Sequence, residues 1–170
     1  MLISLPLAVL AAAMLIFINE ASFQQSSTAV VSLEEAQQAR SAINSLVRQI
    51  LDAETGQRGY LLTGDERYLQ PYDMTSKNVN QNLDVLRQLF STYPDQLSDF
   101  DLMSRHILRK LAEMDLSVRM RKQGNENGWK FVLTTDVGKE QMDAIRNLSA
   151  KLSAGNIKAQ GTCRAAELRC

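Results

Sequence analysis

Apolar residues recur at alternating steps of three and four along most of this chain, and few helix-breaking residues interrupt them. The clearest run is a stripe spaced like a heptad repeat: Tyr72, Ser76, Val79, Leu83, Leu86 and Phe90. Such spacing keeps side chains on one face of an α-helix, whereas a strand alternates every second residue. With only 3 Pro and 8 Gly in 170 residues, the pattern predicts an all-α fold.

Three further segments share this rhythm. The first runs from Val30 to Leu62, and the last contains Met142, Ile145, Leu148 and Leu152. The remaining segment follows the Tyr72–Phe90 stripe in the chain. Its own stripe consists of Leu97, Phe100, Ser104, Ile107, Leu111, Met114 and Val118. Because the breaks between these segments are short, consecutive helices should be antiparallel neighbours. The sequence therefore predicts an up-down four-helix bundle over residues 23–155, followed by an irregular tail over residues 156–170.

The N-terminal segment has no charged side chain before Glu20. As a helix, its first eighteen residues would span ~27 Å, close to the ~30 Å core of a bilayer. A cleaved signal peptide is the alternative, but no Lys or Arg precedes Arg40, and Asn19–Ser22 is a poor cleavage site. We expect residues 1–22 to form a transmembrane anchor that continues into the first bundle helix. The bundle would then face the periplasm or the cell exterior from the inner membrane.

The composition excludes several functions. Lys plus Arg equals Asp plus Glu, so no net charge favours nucleic acid. The cysteines, Cys163 and Cys170, lie in the tail, and His106 is the single histidine. These residues cannot assemble a metal site or a nucleophilic triad, so we expect no metal, no cofactor and no enzyme. His106 is interpreted as a solvated helix residue. The basic residues Arg119, Arg121 and Lys122 either oppose a helix dipole or form an anion site.

Residues 52–72 carry the most distinctive motif, DAETGQRGYLLTGDERYLQPY. Glu54 and Arg58 are one helical turn apart in the favourable acid-before-base order. Gly64 suits the left-handed residue after a helix, and Asp65 suits the cap of the next one. Gly59, like Gly56 before it, is unfavourable inside a helix, which indicates that a neighbouring segment or subunit approaches closely there.

This motif resembles that of the CHASE domain of type 3, an extracytoplasmic sensory domain of histidine kinases, diguanylate cyclases and chemoreceptor-like proteins. The matching residues are Glu54, Thr55, Arg58, Gly59, Tyr60, Leu61, Thr63, Gly64, Asp65, Leu69 and Pro71. A weaker match is found at Gly138–Lys139, Met142–Asp143 and Ile145–Arg146. The resemblance covers roughly residues 20–155. It implies a helical sensor that lies between two membrane spans and precedes an output module.

The motif supplies the candidate site residues: Glu54, Arg58, Gly59, Tyr60, Thr63, Gly64, Tyr68 and Pro71. Three interpretations remain open for them. The motif builds only a helix–turn–helix corner, or Arg58, Tyr60 and Thr63 line a ligand pocket, or the motif contacts a second copy of the chain.

The preferred function is a signal-input domain of a bacterial membrane signalling protein, here without a second span or output module. The expected partners are the membrane, a second copy of the chain and an unidentified small ligand. The alternative is a membrane-tethered helical scaffold that binds another envelope protein. An exposed apolar stripe on the bundle would mark this alternative.

Overall fold

A computed structural model describes the backbone of residues 4–167 except residue 92. It describes the side chains of Met14, Glu34 and residues 36–155, again except residue 92. In this part of the chain the elements are α1 (Ser4–Thr63), a 3-10 helix (Glu66–Leu69, the corner turn), α2 (Gln70–Phe90), α3 (Pro94–Lys122), α4 (Glu126–Thr134) and α5 (Val137–Glu167). The described residues include no strand, so the predicted all-α fold is confirmed.

The chain divides into two compact units, Met1–Gln37 and Gln38–Cys170. The core and the candidate site both lie in the second unit. There, α1 and α2 are antiparallel: Thr75 Oγ1 donates to the Gln49 carbonyl (3.2 Å), and Asn82 Nδ2 donates to Gln49 Oε1 (3.0 Å). The corner turn at the far end of α1 makes this reversal.

Helices α2 and α3 form the next antiparallel pair. The rings of Phe90 and Phe100 stack with centroids 5.4 Å apart where the chain turns. At the other end of α2, the Tyr72 hydroxyl donates to Asp115 Oδ1 at 3.3 Å. The pairing brings the end of α3 back beside the corner turn.

Helix α5 returns antiparallel to α3. Lys151 Nζ lies 2.8 Å from Asp99 Oδ1 near the start of α3, and Gln141 Oε1 lies 2.8 Å from His106 Nδ1 further along. The long helices thus alternate in direction, in agreement with the predicted up-down order. His106 is half-buried against α5, so its interpretation as a solvated residue is wrong: the imidazole reaches a side-chain acceptor on the neighbouring helix.

The buried residues follow the predicted stripes with two corrections: Leu62, near the end of α1, is 74 % exposed, and the stripe of α2 shifts by one residue. On α2 the stripe passes through Thr75, which is 4 % exposed, and Ser76 is exposed. A helix turns by 100° per residue, so residues at alternating steps of four and three do not all point in the same direction. A neighbouring helix that packs to one side of the stripe can therefore bury the residue next to a predicted position. Thr75 is selected because its hydroxyl reaches the carbonyl of Gln49.

At the C-terminal end, the last helix is longer than the sequence predicts. The backbone of α5 is helical to Glu167, although the sequence predicts an irregular tail from residue 156. Residues 156–167 contain no Pro and only Gly161, so nothing stops a helix that has already begun. No helix in the described part of the chain is long and apolar enough to cross a membrane. The predicted anchor, residues 1–22, lies for the most part outside the residues whose side chains are described.

Candidate functional site

The motif at residues 52–72 folds as a tight corner between α1 and α2. Gly64 adopts φ +76°, and its N–H donates to the Tyr60 carbonyl at 2.7 Å. Asp65 then caps the corner turn by accepting from the Arg67 N–H at 3.0 Å. The hydrogen bond from the Arg67 side chain lowers the pKa of Asp65. The predicted roles of Gly64 and Asp65 in this corner are confirmed.

One face of the motif allows the chain to pack closely on itself. A Cβ at Gly59 would lie 2.7 Å from Cδ1 of Tyr68, and a Cβ at Gly56 would clash with the Tyr68 carbonyl oxygen. The Gly56 position also meets Pro71 at 3.4 Å. The segment that approaches the two glycines is therefore the corner turn of the same chain, and their cost inside α1 is offset by this contact.

The other face of the motif carries charge into the bundle. Glu54 Oε1 accepts from Arg58 Nη2 at 2.8 Å and from Lys110 Nζ at 3.1 Å. Lys110 lies on α3, its side chain is only 2 % exposed, and it also donates to Glu113 Oε2 at 3.1 Å. A buried ammonium is tolerated only when carboxylates compensate it. The predicted Glu54–Arg58 pair therefore belongs to a larger cluster.

A second polar contact fastens α1 to α3 below this cluster. Gln57 Nε2 donates to Ser117 Oγ at 2.6 Å, and that hydroxyl donates to the Met114 carbonyl at 2.8 Å. Both side chains are buried. Because their hydrogen bonds are made within the bundle, they fix the register of the two helices without a penalty for unpaired polar groups.

A cavity of about 200 Å³ opens beside the charged cluster. Its lining comes from α1, α3, the end of α4, the linker after α4 and the start of α5: Glu54, Gln57, Arg58, Lys110, Glu113, Leu133, Thr134, Thr135, Asp136, Gly138 and Lys139. The first and last helices of the bundle therefore share one mostly polar space. The described residues include no cluster of His, Cys, Asp and Glu that could hold a metal ion.

The predicted site residues separate into two groups. Glu54 and Arg58 line the cavity, whereas the remaining six lie elsewhere in the motif. Tyr60 is buried in the core, and Thr63 Oγ1 donates to the Gly59 carbonyl at 2.7 Å. The corner contains Gly59, Gly64, Tyr68 and Pro71. Most of the motif thus builds the turn, and two of its residues reach a space where a ligand could bind.

Sequence reasoning missed the partners that α3 and α5 bring to this space. Lys110 and Glu113 come from α3, and Asp136 and Lys139 come from around the start of α5. One signal was available: Lys110 falls on the buried stripe of α3, between Ile107 and Met114. A charged residue at an inward position indicates a buried ion pair or a site.

The basic cluster at the end of α3 is occupied by carboxylates of the same chain. Arg119 pairs with Asp115 at 2.8 Å, Arg121 pairs with Glu126, and Lys122 lies 3.7 Å from Glu66. These contacts favour the structural interpretation of the cluster over an anion site.

An all-helical unit whose first, third and last helices enclose a small polar cavity has the form of a sensing or binding module. The chain belongs to the CHASE3 domain family, whose sequence model matches residues 29–160. CHASE3 domains are extracytoplasmic sensory domains, so the family assigns the chain a sensory role. The resemblance predicted from the motif is confirmed. Comparison with curated proteins and with solved structures found no match.

Proposed function

We propose that this chain is the signal-input domain of a bacterial membrane signal-transduction protein of the histidine kinase or diguanylate cyclase type. Residues 1–22 would hold it in the cytoplasmic membrane, with the bundle outside the cytoplasm. The observation that supports an input role is the cavity, because its lining joins α1 to α5 through Lys110 and Glu113 of α3. The chemistry of the signalling protein would reside in its output module.

The proposed mechanism is a shift of α1 relative to α5. In the structure, Glu54 on α1 and Glu113 on α3 both hold Lys110, and Gly138 at the start of α5 lies against the same group. A ligand or a partner that favours one arrangement of these helices would bias the bundle between two states. Such a bias needs only a few kcal/mol of differential binding. A second copy of the chain would couple two such bundles.

The location is tested by reporter fusions at Cys170. Alkaline phosphatase is active only outside the cytoplasm, and green fluorescent protein fused at the same position is the opposite control, because it fluoresces only inside the cytoplasm. We expect phosphatase activity in the membrane fraction, and its loss when residues 1–22 are deleted. Fluorescence without phosphatase activity would refute the proposed orientation. Intact-mass measurement separates the anchor from a cleaved signal peptide, which would shorten the purified chain.

The scaffold alternative is favoured by one surface. The outer face of α3 exposes Leu102, Leu108 and Leu116, by 39 %, 45 % and 41 %, beside the exposed Arg105 and Arg109. A photo-cross-linker placed at Leu108 tests this face in living cells, with the exposed Asn80 of α2 as the control position. A product of twice the chain's mass from Leu108 alone indicates the homodimer expected of a sensor. A product of another mass indicates an envelope partner and supports the scaffold.

A further inference from the structure

The cavity beside Lys110 has the charge pattern of a binding site for a molecule that carries both charges. Three cationic and three carboxylate side chains line it: Arg58, Lys110 and Lys139 against Glu54, Glu113 and Asp136. The lining is therefore neutral in sum and mostly polar. A zwitterion keeps the cavity neutral in sum, whereas a ligand with a single charge adds net charge to a partly enclosed space, which is less favourable.

The deep part of the cavity offers acceptors. Glu54 and Glu113 each use one oxygen to hold Lys110, and no described residue donates to Glu54 Oε2 or Glu113 Oε1. Both side chains are only slightly exposed, by 13 % and 14 %. Carboxylate oxygens held in place by a buried lysine and open to a cavity are suited to an ammonium group.

The end of α4 and the linker that follows it add further acceptors. Thr135 Oγ1 donates its proton to the Val132 carbonyl, and Thr134 Oγ1 donates to the Phe131 carbonyl, both at 2.8 Å. Their lone pairs alone remain for a ligand. The next residue in the chain, Asp136, also lines the cavity and adds a carboxylate.

The rim of the cavity offers donors. Arg58 is 59 % exposed and uses Nη2 on Glu54, so the rest of its guanidinium is free to bind. Among the residues whose side chains are described, Lys139 forms no ion pair. These two cations are placed to bind a carboxylate at the cavity mouth.

The room for a ligand depends on a glycine. A Cβ at Gly138 would lie 2.6 Å from both carboxylate oxygens of Glu113 and 2.7 Å from Lys110 Nζ. A volume of about 200 Å³ corresponds to roughly seven water molecules at ~30 Å³ each, which suits a small solute.

From this geometry we infer that the cavity binds a small zwitterion of the free α-amino acid class. The ligand's ammonium group donates to Glu54 and Glu113, and its carboxylate accepts from Arg58 and Lys139. The inference rests on the proposed input function, because it names the class of signal that would bias α1 against α5.

The first test measures the melting temperature of the purified full chain with each free proteinogenic L-amino acid. At about 10 mM, even a site with millimolar affinity raises the melting temperature measurably. We expect a rise with one or a few small amino acids. The same compounds are then tested as the amide, which lacks the carboxylate, and as the N-acetyl derivative, which lacks the ammonium. Binding must be lost in both; equal binding of either derivative, or no rise with any amino acid, overturns the inference.

The second test places the ligand in this cavity. Glu113→Gln and Lys139→Gln each remove one charged contact, and we expect each to weaken binding about tenfold or more. Gly138→Ala removes no charge but fills the space, and it should abolish binding while the chain stays folded. The control is Lys77→Gln, on an exposed lysine of α2 outside the cavity. Equal affinities across the cavity variants and the control would refute this site.

The two proposals fail separately. If the fusion experiment gives the expected topology but no amino acid binds, the inferred ligand class is refuted and the proposed input function is not. Amino-acid binding by a chain located in the cytoplasm would do the reverse.

Discussion

At the scale of single residues, the motif uses its two helix faces for different tasks. Gly56 and Gly59 let the corner turn lie directly on α1, and Glu54 and Gln57 carry polar contacts to α3. A glycine inside a helix costs about 1 kcal/mol relative to alanine. At these positions the cost is offset by backbone contact that any side chain would prevent.

Gly56→Ala should destabilise the chain, because its Cβ meets the carbonyl of Tyr68, which cannot turn away as a side chain would. We expect a loss of about 1–3 kcal/mol in the free energy of unfolding. The matched control is Gly155→Ala in α5, where the nearest atom to a Cβ is 3.8 Å away and the change should stabilise by about 0.4–1 kcal/mol. Urea unfolding measures both, and equal effects would contradict the close approach.

Lys110→Met should be costly, because it leaves Glu54 and Glu113 without the ammonium that compensates them. Breaking a buried ion pair on one side costs about 3–5 kcal/mol. Lys151→Met removes an exposed lysine from Asp99 and should cost less than about 1 kcal/mol. A triple variant in which Lys110→Met is combined with Glu54→Gln and Glu113→Gln should recover part of the loss. No difference between the two lysine variants in urea unfolding would refute the buried cluster.

At the scale of elements, α4 is the short piece that closes the end of the bundle beside the corner. Asn125 Oδ1 accepts from the Gly128 N–H at 2.9 Å at its start. Nine residues are too few for a helix to be stable alone, so its contact with α3 must hold it. Trp129 supplies that contact: it is 5 % exposed and lies between Arg121 and Lys130, whose charges are 5.2 and 5.3 Å from its ring.

Trp129→Ala should detach α4, with a loss of about 3–5 kcal/mol for a buried tryptophan. Phe131→Ala in the same helix is the control: its side chain is 70 % exposed, and its removal should change stability by less than about 0.5 kcal/mol. Hydrogen exchange of the amides of Glu126–Thr134 measures the detachment. Unchanged exchange in the Trp129 variant would show that another contact holds α4.

At the scale of the whole molecule, polar contacts between neighbouring helices stabilise the bundle together with its apolar core. Tyr72 on α2 donates to Asp115 on α3. Burial of the phenol raises the pKa of Tyr72 above its usual value of 10.0. In the unfolded chain the phenol loses its proton first as the pH rises, so stability present below pH 10.0 is lost above it.

Tyr72→Phe should remove this alkaline loss. Melting temperatures of the two proteins are compared from about pH 8 to about pH 11. At the lower pH the difference reports the missing hydrogen bond, about 0.5–1.5 kcal/mol. Above pH 10.0 the wild-type melting temperature should fall more steeply than that of the variant. Parallel curves would show that the phenol does not contribute.

The corner could be predicted largely from the sequence because its determinants are local. Gly64 permits the positive φ, Asp65 caps the turn that follows it, and Glu54 and Arg58 are one helical turn apart. Such features depend only on residues a few positions away. The 3–4 spacing likewise determined which helix faces are buried, with two exceptions: Thr75 is buried in place of Ser76, and Leu62 is exposed.

The sequence by itself therefore determined the helical class, the corner and the family. Only the tertiary structure decided that Glu54, Lys110 and Asp136 share a cavity, because they lie on or beside three helices far apart in the chain. Periodicity says which face of a helix turns inward, but it does not say which charge on another helix it meets. That choice depends on register and helix order, which are set when the four long helices pack together.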